Sequence, residues 1–138
     1  MKRIILLLFF IPIFGISQVF HHSYNGEKIR HNKYTLSYSE NNEQAEWVYY
    51  VLNTESLLGT TKRTNNFKSD DKVSSGSAHP SNYKYTGYDR GHLAPASDMK
   101  ISRTTMSESF LMSNISPQNP SFNRGGWKKL ETLVRSWA

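Results

Sequence analysis

From Tyr34 to Tyr38 large apolar side chains alternate with small polar ones, the period of a strand with one buried face. Glu40 to Glu43 is a polar turn. Trp47 to Leu52 is aromatic and β-branched throughout, which predicts a second, more central strand and, with the first, an antiparallel pair. Ahead of them, Gln18 to Lys33 is polar, shows no clear period and predicts a loose leading segment. Residues 59–87 contain no long apolar run and predict a long surface loop, a feature uncommon in compact domains and often functional. Further along, the pattern predicts a short strand over Tyr88 to Leu93, a turn around Pro95, and helical turns over Arg103 to Ser109. A short strand at Phe110-Leu111-Met112 and a loop from Asn114 to Pro120 follow. A final helix is predicted from about Asn123 to the end.

That helix is amphipathic. At 100° per residue, Trp127, Leu130, Leu133, Val134 and Trp137 fall in one apolar stripe, which predicts packing on the sheet. Lys128, Lys129, Thr132 and Ser136 take the opposite side, and Glu131 and Arg135 lie on the border, one turn apart. Asn123 is a polar residue at the head of the stripe.

The first residues are a separate object. Lys2 and Arg3 precede an apolar run from Ile4 to Ile16, and Gly15-Ile16-Ser17 offers small residues where a signal peptidase reads. This describes a secretory signal peptide over residues 1–17 and an exported chain, secreted or periplasmic, over residues 18–138. The run is too short for a bilayer-spanning helix, which needs about 20 residues. Losing Lys2 and Arg3 from a formal charge of +6 leaves +4, a surplus that suits a polyanion without establishing one. With no cysteine in 138 residues, disulfides, thiolate zinc sites and cysteine nucleophiles are excluded, and any metal must be held by oxygen or imidazole.

The chemistry is concentrated in the second half. Asp89-Arg90-Gly91-His92 is followed 22 residues later by Asn114-Ile115-Ser116-Pro117-Gln118, then by Asn123-Arg124-Gly125-Gly126-Trp127 and Leu130-Glu131. This succession resembles the DNA/RNA non-specific endonucleases, the DRGH-motif, ββα-metal family. The resemblance runs from about Tyr34 to the end and is closest from Tyr88 onward. It implies an α+β fold whose site is a β-hairpin followed by a helix gripping one metal ion. By motif, His92 matches the general base and Asn123 the direct metal ligand, while Glu131 matches the acid that holds the metal's water shell. Asn114 and Gln118 match polar residues that shape the site on the substrate side, and Arg135 an arginine near the phosphate. Arg63, in the long loop, resembles the family's substrate-clamping arginine. Arg90 belongs to the catalytic motif itself and, with Asp89, braces the hairpin. The implied ion is Mg²⁺, with Mn²⁺ as a substitute, and the implied substrates are DNA and RNA.

The residues make chemical sense without the resemblance. Phosphodiester hydrolysis needs an activated water and neutralisation of charge on the phosphate and the leaving oxygen. A neutral imidazole serves as base because its ordinary pKa lies near working pH. Gly91 would let a bulky phosphate approach the backbone. A hard cation takes an oxygen from Asn123 and keeps its waters, which Glu131, two turns along, can orient. Simpler readings stay open: Asn123 as a helix N-cap, and Glu131 with Arg135 as an ordinary surface pair. His21, His22, His31 and His79 are expected to be solvated. No recognition helix or zinc module is present, so contacts fall on phosphate and metal, which carry no base information.

The chain stops at Trp137-Ala138 inside the amphipathic helix, with no Gly, Asn or Pro stop signal. This predicts a domain truncated at its C-terminal side relative to the family, marginally stable or aggregation-prone on its own, and with weak or no nuclease activity despite a complete catalytic set. Three functions remain open: an exported nuclease cutting DNA and RNA to 5′-phosphate ends, an inactive fragment that binds nucleic acid weakly, and a toxin component paired with an inhibitor or immunity protein.

Overall fold

The structure is a computed structural model that describes residues 25–138; the signal peptide expected over residues 1–17 lies outside them. Among the described residues, five strands form two small antiparallel sheets, accompanied by three α-helices. The first sheet has the order β1 (Glu27–Arg30), β2 (Tyr34–Ser39), β3 (Gln44–Tyr50). In β2 the alternation works as expected: Tyr34, Leu36 and Tyr38 are buried and meet Ile29 of β1, Val73 of the long loop, Ala94 and Met99 in one core cluster. β3 begins three residues earlier than the aromatic run suggests, because the turn is tight and Gln44 already pairs with Ser39. The leading segment is not loose throughout. Glu27–Arg30 pairs with β2 along its whole length, although Ile29 alone of the four is buried.

After the short helix α1 (Thr54–Leu57), the long loop is pinned rather than merely exposed. Lys68 bridges in parallel to Leu111, and Val73 and Ala78 are buried. Asp70, 2 % exposed, holds three partners. It lies 2.8 Å from His31 Nε2, accepts from Ser113 Oγ at 2.5 Å, and accepts from the Lys72 amide at 3.0 Å. Burial alone would raise the Asp70 carboxyl; the hydrogen bonds from His31 and Ser113 outweigh it and hold it below the usual aspartate value. His31, expected to be solvated, is thus buried, because its partner arrives from 39 residues away. His79 is exposed, as expected, and caps the turn at Pro80–Tyr83.

The second sheet is the antiparallel pair β4 (Asp89–His92) and β5 (Ile115–Gln118). Between them lies α2 (Arg103–Glu108), capped by Ser102. Phe110-Leu111-Met112 does not form the expected strand; Leu111 makes one bridge and the chain turns at Met112–Asn114. The strand lies instead at Ile115–Gln118, within the expected loop. A two-stranded ribbon has free edges, and Pro117 is tolerated where its missing N–H is not needed by the ladder.

The final helix runs through a wide, π-type stretch, Phe122–Trp127, into α3 (Lys128–Ser136). Its inward side takes only one edge of the apolar stripe, Trp127 and Val134. Leu130 and Leu133 are each 48 % exposed and Trp137 is 72 % exposed, while Asn123, Trp127, Glu131, Val134 and Arg135 are half-buried. The helix is rotated so that its polar border faces the β4–β5 pair. Two contacts fix that rotation. Trp127 Nε1 donates to the His92 carbonyl at 3.0 Å, and Arg135 Nη1 reaches the buried Asp98 at 2.8 Å.

Candidate active site

The rotation of the last helix creates a cleft of about 420 Å³ against β4. Arg63, Arg90, His92, Asn123, Glu131 and Arg135 all line it. His92 ends β4, with a ring flanked by Phe110 at 4.9 Å and Phe67 at 5.7 Å, both edge-on. Two arginines stack on the same phenylalanines: Arg63 lies 4.8 Å from the Phe110 centroid and Arg90 4.1 Å from that of Phe67. Burial first, and the charge of Arg63 second, pull the His92 pKa down to about 3. The ring is therefore neutral throughout the neutral range. Its Nε2 is buried without a hydrogen-bond partner among the described residues. Nδ1 is left as the nitrogen available to a water.

Asn123 sits in the π-type stretch, with its backbone N–H donating to Asn119 at 2.8 Å. It is inside the helix, so the N-cap reading does not apply. Its Nδ2 donates to Asp89 Oδ2 at 2.9 Å, which leaves the amide oxygen as the free atom of the side chain. Asp89 is held in turn by Arg124, at 2.8 and 2.6 Å. Those Arg124 bonds, with the one from Asn123, keep its carboxyl below the usual range. Wide helical turns recur at functional sites because they re-aim one side chain without ending the helix. Gly125-Gly126 is the sequence signal that could have revealed this one.

Glu131 is raised by burial against the opposing effect of Arg135, whose Nη2 is 3.9 Å away. Arg135 faces the cleft, yet its guanidinium is already engaged by Asp98, which also accepts from Tyr50 at 2.8 Å. Arg63 donates to Asn65 at 2.7 Å, and burial lowers its pKa while Glu131 supports its charge. Arg124 and Lys128, not singled out in the sequence, add positive charge to the rim.

Two expected substrate contacts are placed elsewhere. Asn114 is 0 % exposed. Its side chain accepts from the Ala94 amide at 2.8 Å and donates to the carbonyls of Ala94 at 3.0 Å and Ser109 at 2.9 Å. Every polar atom it offers is used to hold the turn that follows His92. Gln118 is also buried and packs on the space above Gly91, where a Cβ would fall inside its side chain. Gly91 thus makes room for the Gln118 side chain, which any Cβ there would displace.

Among the described residues no three His, Asp or Glu side chains cluster as a metal site would. A site built on one amide oxygen and one carboxylate needs no such cluster. The donor set fits a hard divalent cation: the free oxygen of Asn123, fixed by Asp89, and Glu131 in the same cleft.

Residues 16–138 match the family model described as DNA/RNA non-specific endonuclease. The chain belongs to that family. A nuclease of Nostoc sp. (strain PCC 7120 / SAG 25.82 / UTEX 2576) is 41% identical over 106 residues, 75% of this chain and 38% of the relative. Mitochondrial endonuclease G of Homo sapiens is 37% identical over 105 residues, 75% of this chain and 35% of the relative. Among solved structures, a chain of the EndoG/EndoGI complex superposes with a TM-score of 0.72 at 32% identity, covering 79% of this chain and 46% of that one. The chain therefore spans about a third of the length of the curated relatives it matches. The α+β fold, with its ββα unit of β4, β5 and the last helix, is the family's.

Proposed function

We propose that this chain carries the catalytic centre of an exported endonuclease that hydrolyses phosphodiester bonds of DNA and RNA with the help of one divalent cation, Mg²⁺ by preference. The observation that carries this reading is the convergence of His92, Asn123, Glu131 and Arg63 on one cleft. His92 Nδ1 accepts the proton of the attacking water. Arg63 holds the phosphate, and Arg90 adds positive charge beside it. Asn123 and Glu131 would hold the cation, which when bound supplies charge neutralisation at the phosphate and at the departing 3′ oxygen. Such cleavage leaves 5′-phosphate ends.

At a pKa of about 3, the free His92 is a weak base, below the value expected for an imidazole matched to working pH. A bound phosphate offsets the charge of Arg63, the smaller of the two causes, and so raises the basicity of His92 when substrate arrives. Arg135 acts at one remove, by positioning Glu131 and tying the helix to Asp98. Asn114 and Gln118 hold the β4–β5 unit in shape.

Export rests on the residue 1–17 pattern, and an inhibitor partner is suggested by the relative solved with EndoGI. Supercoiled plasmid and single-stranded RNA, incubated with the full chain in Mg²⁺ or in excess chelator, test the reading. Cutting of both, abolished by the chelator and leaving ends that polynucleotide kinase labels only after phosphatase, is expected. Undiminished cutting in chelator, 3′-phosphate ends, or no cutting under any condition would contradict it.

A further inference from the structure

Arg90 and Asn123 line the cleft described above, and they also line a second pocket of about 320 Å³ on its flank. Phe67, Pro80, Tyr83, Lys84, Tyr88 and Asp89 complete its walls, the Asp89 carboxylate being already engaged by Asn123 and Arg124. The phosphate site and this pocket are therefore neighbouring parts of one groove. Its volume is near the lower end for small-ligand pockets, about 300 Å³, and accommodates a single planar ring system.

The walls have the composition of a stacking site. Tyr88 is 54 % exposed, and among the described residues its hydroxyl makes no hydrogen bond. Tyr83 is the fixed floor, half-buried, with its hydroxyl donating to the Ile115 carbonyl at 3.2 Å. Arg90 Cζ sits over the Phe67 ring, 4.1 Å from its centroid, and Lys84 is exposed at the rim. The segment that presents these residues is held rather than loose. Thr86 Oγ1 donates to the Tyr83 carbonyl at 2.9 Å and accepts from the Tyr88 amide at 3.2 Å. Gly87 and, unusually for a bulky side chain, Tyr85 take positive φ, 80° and 62°. An aromatic ring kept half in water, on a pinned turn, one residue before Asp89, gains nothing for the core.

We propose that this pocket receives one unstacked nucleobase, that of a nucleotide next to the phosphate in the cleft, stacked on Tyr88 with its backbone charge met by Lys84 and Arg90. The inference rests on the nuclease reading and deepens it. Every base has a π face, so such a site is blind to sequence, in keeping with a low-specificity enzyme. A base still paired in a duplex cannot enter it, so the pocket favours unpaired over paired substrate.

The test separates the pocket from the catalytic assignment. Affinities of the full chain, in chelator so that nothing is cut, are measured for a ten-nucleotide dT strand and for a strand of equal length made of abasic linkers. Wild type should bind the dT strand about tenfold more tightly, the scale of one base–aromatic stack. Tyr88→Ala should lose that preference and bind both strands as wild type binds the abasic one, whereas Tyr88→Phe should keep it. Equal binding of the two strands by wild type, a preference that survives Tyr88→Ala, or no binding of either strand would overturn the proposal. Plasmid cutting in Mg²⁺, followed in parallel, reports on the nuclease reading alone. A chain that discriminates bases but does not cut keeps the pocket and loses the enzyme; one that cuts without discriminating does the reverse.

Discussion

Asn114→Ala separates a residue that holds the fold from one that holds substrate. In the folded chain the Asn114 amide is 0 % exposed, as is Ser109, and Ala94 is equally buried. Truncation orphans three backbone groups at once: the Ala94 N–H, the Ala94 carbonyl and the Ser109 carbonyl. An unsatisfied buried group costs about 1–3 kcal/mol, and the three share one site, so their costs do not simply add. A loss of about 4 kcal/mol is expected, a large part of the 5–15 kcal/mol typical of a domain. Asn114→Asp should fare little better, because a carboxylate can accept from Ala94 but cannot donate to either carbonyl. Urea denaturation followed by tryptophan fluorescence measures the loss. Nucleic-acid affinity, corrected for the folded fraction, should be unchanged. A loss below about 1 kcal/mol together with weakened binding would refute the reasoning and return Asn114 to the substrate side.

The pH dependence of stability should be set in part by His92. Its folded pKa, about 3, lies below the ordinary 6.5, so between those values the unfolded chain binds more protons and stability falls as pH falls; about 2–3 kcal/mol should go between pH 7 and 4.5. Asp70, also depressed, contributes stability above the ordinary aspartate pKa that is lost only on further acidification. Denaturation at both pH values checks this, and a His92→Ala chain with an equally steep slope would contradict it. Asp89→Ala should release the Asn123 amide and raise the Mg²⁺ requirement for cutting about 10–100-fold with the fold retained; an unchanged Mg²⁺ titration would show the brace to be idle. Gly91→Ala should displace Gln118 and destabilise by about 1–3 kcal/mol, seen as a lower thermal midpoint, and a neutral result would mean that Gln118 has another place to go.

What could be read in the sequence, and what could not, divides along local and non-local physics. β2 and β4 announce themselves by alternation and a motif, and α2 as a short run of helical turns, all within a few residues. β1 is hidden because Glu27-Lys28-Ile29-Arg30 buries one side chain and owes its strand to β2. β5 is hidden by Pro117, which a free edge tolerates. The orientation of the last helix follows from Trp127 reaching the His92 carbonyl and Arg135 reaching Asp98, neither of which an apolar stripe encodes. The burial of His31 needs Asp70. In the site, His92, Asn123, Glu131 and Arg63 were legible as motif residues and do share a cleft. The roles of Asn114, Gln118 and Gly91 were not, because polarity and size do not say whether a side chain faces substrate or the turn behind it. The aromatic pocket at Tyr83 and Tyr88 was missed because these residues share no regular period.

The claim that organises all of this is that His92 is the base of the cleft. The most direct measurement is the rate of plasmid cleavage in saturating Mg²⁺ by the full chain and by His92→Ala, with thermal melts and chelator-phase binding of the dT strand recorded on the same samples. A fall of about 10²–10⁴-fold in cleavage is expected, with a melt no less stable than wild type at pH 7 by more than a few degrees and with binding retained. Cleavage by His92→Ala within a few-fold of wild type would contradict it.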